Sequence, residues 1–230
     1  MMLALALYAQ LQARISNPLV VRTHVVLCDN EFIACGNPRL GDGDSLATNL
    51  YWGTSEGFEG WFARRGSGWK RVSRKAGDGD VLLREVWSRR VKSIEVRVEV
   101  VAWRGKAIDR AIDAFADDLW HGKAPLVAYI GHDRWMDRDD FKWPSGDPVD
   151  VKGAFVLACK TGEYVGPHLR AVPLVLTNDF IFASAPAFER ALVKFAEGAE
   201  LSAVREAAAQ GYADGEGKSV AKVRSAFRIR

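Results

Sequence analysis

Residues 125–135 read PLVAYIGHDRW, and residues 153–162 read GAFVLACKTG. Each opens with a short, unbroken apolar run and then stops at glycine or polar residues. Runs of this length without alternation suit central strands covered on both faces. Two such strands, joined by the polar loop 132–150, predict a sheet buried between helices.

The flanking sequence extends that prediction. THVVLC (23–28) is a first strand ending at Asp29 and Asn30, and VPLVLT (172–177) is a later one. Residues 81–103 read as two strands, and SIEVRVEVVAW alternates within them. Ile94, Val96, Val98 and Val100 share one face; Glu95, Arg97 and Glu99 share the other. WKRVS (69–73) adds a short strand. AIDRAIDAFADDLW (107–120) is a helix with Ile108, Ile112, Phe115 and Leu119 as its buried stripe. The stretch 46–66 reads as helical from Leu50, Tyr51, Phe58, Trp61 and Phe62, against the drag of Gly53, Gly57 and Gly60. Ser184 and Pro186 open a further helix that Gly198 ends. A last helix spans about 200–212, and the basic tail fits helix or strand. The expected organisation is an N-terminal helix or signal-like segment (1–22), one α/β domain (23–215) and a basic C-terminal tail (216–230).

Composition narrows the partners. The 230 residues are 48% hydrophobic and 27% charged, with a net charge of +3. That charge is too weak to favour a nucleic-acid partner. No apolar run is long enough to span a bilayer. Residues 1–14 resemble a signal peptide without its positive start, or a docking helix. The expected location is the cytoplasm, or outside it if 1–14 is a truncated signal. Three cysteines cannot all pair within one chain, and their spacing gives no zinc site. Cys28 reads as core and Cys35 as a loop thiol, with a bond between them only in an exported protein. GDGDS (41–45) lacks the calcium-loop ligand pattern and reads as a solvated turn. WFARRGSGWKRVSRK reads as a helix end with a solvated basic face. Oligomeric state is left open.

An open parallel sheet carries its functional crevice at the carboxyl ends of its strands. Asp29 and Asn30 follow the first strand, Gly131 and His132 a central one, Cys159 the next, and Asn178 and Asp179 the last. A thiol and an imidazole on one rim suit covalent acyl transfer. A free thiol has a pKa of about 8.5, so it needs a base to become a nucleophile near neutrality. The same imidazole then protonates the leaving amine, a role worth about 10²–10⁴ in rate.

VAYIGHD and FVLACKTG resemble the catalytic blocks of the caspase-like cysteine peptidases, clan CD, which include metacaspases and CHAT-type domains. The flanking helices are similar, and the likeness extends over about 23–212. It implies a caspase-like three-layer sandwich, with a mainly parallel central sheet and helices on both faces. It also implies a cysteine endopeptidase needing no cofactor and no metal, acting on a peptide or protein. His132 is then the catalytic base and Cys159 the nucleophile, 27 positions later. The backbone amides of Asp133 and Cys159 form the oxyanion hole. Asp29, Asp179 and Trp135 are candidates for the substrate pocket, and Trp143 for a peptide groove. Asp133, Leu157 and Thr161 stand where the family usually has glycine, aspartate and serine. Those departures motivate a second expectation, a catalytically silent interaction module. A basic nucleic-acid-binding α/β protein is the third.

Overall fold

The computed structural model describes residues 17–229, apart from 123, 149, 170, 171, 173 and 183. The signal-like or docking-helix stretch 1–14 lies outside the described residues. Eight strands form one sheet: β1 (Leu19–Val26), β2 (Lys70–Ala76), β3 (Val81–Val91), β4 (Ile94–Trp103), β5 (Leu126–Ile130), β6 (Gly153–Leu157), β7 (Leu174–Thr177) and β8 (Phe227–Ile229). Their order across the sheet is β2-β3-β4-β1-β5-β6-β7-β8.

The sheet is mixed, which corrects the expectation of a mainly parallel one. The pairings β4-β1, β1-β5, β5-β6 and β6-β7 are parallel. The outer pairings β2-β3, β3-β4 and β7-β8 are antiparallel. The cause is connection length. Lys92 and Ser93 alone join β3 to β4, and Lys92 takes a left-handed φ of 52° to close the turn. Strands joined this tightly can only run antiparallel. At the other end, the basic tail folds back as β8 and becomes the edge of the sheet. It carries both a helix and a strand.

The described helices are α1 (Phe58–Ala63), α2 (Ile108–His121), α3 (Thr161–Tyr164), α4 (Ala185–Ala196), α5 (Leu201–Glu216) and α6 (Val220–Val223). Successive side chains of a strand point to opposite faces, so β5 and β6 feed two cores. Leu126, Ala128, Ile130, Phe155 and Leu157 pack with Phe58 and Phe62 of α1, Phe188 and Leu192 of α4, and Val204 of α5. Val127, Tyr129, Ala154 and Val156 face the other way, onto Ile112, Phe115 and Leu119 of α2. Helices therefore cover both faces of the central strands, and each buried aliphatic or aromatic side chain contributes about 1.5–3 kcal/mol. Ser184 caps α4 as expected, its Oγ accepting from the Ala187 amide at 3.3 Å.

Two local readings change. β1 begins at Leu19, four residues before the expected start, so part of the 1–22 segment belongs to the sheet. Within 46–66 only Phe58–Ala63 is α-helical. Buried Asn49 holds the preceding stretch in turns. Its Oδ1 accepts from the amides of Cys28 and Tyr51, both at 3.0 Å, and its Nδ2 donates to the carbonyls of Cys28 at 2.8 Å and Asp42 at 3.0 Å. A side chain at Gly57 would also meet the Trp52 backbone, at 2.5 Å. Apolar spacing does not reveal an amide that substitutes for a helical ladder. Cys28 and Cys35 are joined in a disulfide, so the loop after β1 is cross-linked at its base. That pairing was expected only of an exported chain.

Candidate active site on the strand rim

The parallel pairings place the ends of β1, β5, β6 and β7 on one rim. Ile130 of β5 pairs with Leu157 of β6, and the Gly131 amide reaches the Leu157 carbonyl at 3.4 Å. His132 and Cys159 each stand two residues beyond that matched pair. Parallel neighbours are about 4.8 Å apart, so both residues leave the sheet from adjacent positions.

The imidazole has a partner that the sequence reading missed. His132 Nε2 lies 2.9 Å from Asp137 Oδ2. One 3₁₀ turn, Arg134–Met136, brings that carboxylate back beneath the ring. The Tyr129 hydroxyl donates to the His132 carbonyl at 2.8 Å, and Arg134 Nε binds Asp109 of α2 at 3.0 Å. The ring is thus held at Nε2, and its backbone and the following turn are fixed separately. The signal was present as HDRWMD, an acid five residues after the histidine, but only the tight turn makes that spacing a contact.

Cys159 is the free thiol among the described cysteines and is partly buried. It donates to the Ile181 carbonyl at 3.3 Å and makes no hydrogen bond to His132. Burial pushes its pKa up, the carboxyls of Asp133 and Asp179 add to that, and Lys160 opposes them. The expected dyad therefore shares a rim, with each member held by another group.

The turn after the thiol answers why a buried strand ends in Lys-Thr-Gly. Lys160 takes a φ of 49°, a left-handed conformation uncommon outside glycine and shared in this chain with the turn residue Lys92. Thr161 is fully buried and locks that turn. Its Oγ1 donates to the Val156 carbonyl at 2.9 Å and accepts from the Thr177 amide at 2.9 Å. The Thr177 hydroxyl in turn donates to the Ala158 carbonyl. Thr161→Val keeps the shape and removes the hydroxyl, leaving buried backbone groups unpaired. The expected loss is about 3 kcal/mol, read as a lower urea midpoint with an unchanged m-value.

Asp133 is entirely buried, and neither carboxyl oxygen has a hydrogen-bond partner among the described residues. Burial raises its pKa to about 7. The nearby amides of Met136 and Trp135 fall short of hydrogen-bond geometry and only partly offset this. The backbone amides of Asp133 and Cys159 donate to no protein acceptor among the described residues, and Asp133 is closed to solvent in this conformation.

No protein-family model and no curated protein matches this chain.

The expected pocket residues are each engaged locally. Asp29 Oδ1 accepts from the Glu31 amide at 3.0 Å, and Asp179 Oδ1 from the Phe180 amide at 2.8 Å, so each carboxylate closes its own local turn. Trp135 belongs to the core rather than to a groove. It is buried beside Tyr129 and Phe115, with ring centroids 4.9 and 5.7 Å away. Trp143 stacks on it at 5.7 Å. The aromatics that do face outward near the rim are Phe32, Phe180 and Phe182, at 37%, 63% and 50% exposure. Lys160 Nζ sits 4.6 Å from the Phe180 ring centroid. Loop phenylalanines carry no periodicity, and nothing in the sequence singled them out. No group of three or more metal-ligating side chains occurs among the described residues, and no described helix is long and apolar enough to cross a membrane.

Proposed function

We propose that the protein is a caspase-like cysteine peptidase that uses Cys159 and His132. The observation that carries this reading is the register. The two residues project from matched positions of adjacent parallel strands, beside a carboxylate that orients the imidazole. Nucleophile, base and orienting acid are the parts that acyl transfer requires.

With Nε2–H donated to Asp137, Nδ1 is the basic nitrogen. It takes the proton from the Cys159 thiol, and the thiolate adds to the scissile carbonyl. The oxyanion meets the amides of Asp133 and Cys159. The protonated imidazole then gives its proton to the departing amine, leaving a thioester that water hydrolyses. For this the thiol must leave the Ile181 carbonyl, a tightening that ligand-free sites often require. The exposed phenylalanines border the rim with apolar surface suited to an extended peptide. The Cys28–Cys35 disulfide fits an oxidising compartment.

Incubation with a peptide acyloxymethyl ketone tests the proposal. Covalent labelling is expected in the native chain and is lost in Cys159→Ala. A second reading, a caspase-like interaction module without catalysis, is favoured by one observation: burial pushes the thiol pKa up, and its hydrogen bond goes to the Ile181 carbonyl rather than to His132. A folded, reduced protein that stays unlabelled supports that module.

A further inference from the structure

Behind Phe182 lies a cavity of about 370 Å³ whose walls include Cys35, Leu40, Leu50, Glu56, Phe182 and Glu216. It is largely apolar apart from its two acids, of which Glu216 is paired with Lys218 at 3.1 Å. Glu56 Oε2 is buried and has no hydrogen-bond partner among the described residues. The arginine that senses this carboxylate, Arg64, is stacked on Trp61 with its guanidinium carbon 3.1 Å from the ring centroid. Glu56 as a whole is half-buried, so its charge is not stranded, but the oxygen that faces the cavity is an acceptor left for a donor that enters it.

The helix beside it makes room for the acid. Gly215 lies inside α5, where glycine is about 1 kcal/mol worse than alanine. A Cβ there would stand 2.4 Å from Glu56 Oε2. The glycine thus keeps the carboxylate's place clear.

We infer that this cavity binds a cation on a short aliphatic stem, an alkylguanidinium or alkylammonium group, with Glu56 as its counter-ion and Leu40, Leu50 and Phe182 around the stem. The inference does not rest on Cys159 reacting. The same chemistry is offered by a free amine or guanidine and by a lysine or arginine side chain of a peptide.

Calorimetric titration of the full chain with n-butylguanidinium, against its neutral isostere n-butylurea, tests it. The cation is expected to bind with a Kd on the order of 1 mM, typical of so small a ligand, and the urea at least about tenfold more weakly. Glu56→Gln weakens the cation by at least about tenfold without lowering the melting temperature of the ligand-free protein, because Oε2 has no hydrogen bond to lose among the described residues. Gly215→Ala, which crowds the same oxygen, weakens it likewise. Cys159→Ala binds as the native chain does, so failure of the peptidase reading leaves this result standing. Acetyl-arginine amide binding as well as n-butylguanidinium assigns the site to a peptide side chain; binding of the bare cation alone assigns it to a free ligand. Equal affinity for n-butylurea, or unchanged binding in Glu56→Gln, overturns the inference.

Discussion

Asparagine at position 133 abolishes roughly 4 kcal/mol of pH-dependent destabilisation, the energy needed to ionise a carboxyl moved from 3.8 to about 7. The sign follows from proton binding. Below pH 3 the group is protonated in both the folded and the unfolded chain, and its ionisation contributes nothing. Between about pH 4 and 7 the unfolded chain has released this proton while the folded chain keeps it. Stability therefore falls as pH rises through that window, and the contribution levels off above it. Asp133→Asn has no such transition. Urea denaturation at pH 3, 5, 7 and 8 should show the native chain losing ground to the variant across the window, once the curves are matched at pH 3. Matching at acid pH cancels any cost of burying the amide. Parallel curves would mean that Asp133 ionises as freely in the fold as in the unfolded chain. The same charge sits close enough to raise the Cys159 thiol, so ionisation of Asp133 works against the proposed nucleophile.

His132→Ala is expected to slow covalent labelling of Cys159 by about 10²–10⁴, the usual value of a positioned proton-transfer group. Asp137→Asn should act through His132 and cost less, because the ring stays in place with a weaker partner. Asp137 is a positioning residue, so its signature is rescue: Asp137→Glu, which can keep the contact to the ring, should label faster than Asp137→Asn. Stopped-flow or quenched labelling across pH 5–9 reads both effects. An inactivation rate unchanged in His132→Ala would remove the base from the proposal and leave Cys159 a bystander thiol.

Much of this architecture was legible in the chain. The apolar runs at 126–130 and 153–157 are strands covered on both faces, and the stripe Ile108, Ile112, Phe115, Leu119 is the buried side of α2. Binary patterns of that kind follow directly from burial. The misread regions obey interactions that pattern cannot express. Asn49 replaces helical hydrogen bonds with side-chain ones, and a two-residue turn sets the direction of β3. The site was legible to the same depth. Its strand-end residues could be named from the sequence, because topology alone places them. What each side chain grips depends on loop conformation, so Asp137 and the Ile181 carbonyl were out of reach.

One edge of the sheet bears on how copies of this protein behave in crowded solution. β2 is the outermost strand, carries Lys70, Arg71, Arg74 and Lys75, and breaks register between Arg71 and Ser73. An uncovered strand with free backbone groups is a template for a second chain. Arg71 and Arg74 are paired with Glu59 and Glu85, so Lys70 and Lys75 carry the charge that repels an identical strand, and the irregularity spoils the straight ladder such stacking would need. Among the described residues this border of a long sheet thus stays open while fibre-like self-assembly is discouraged there, and neutralising Lys70 and Lys75 would make it adhesive.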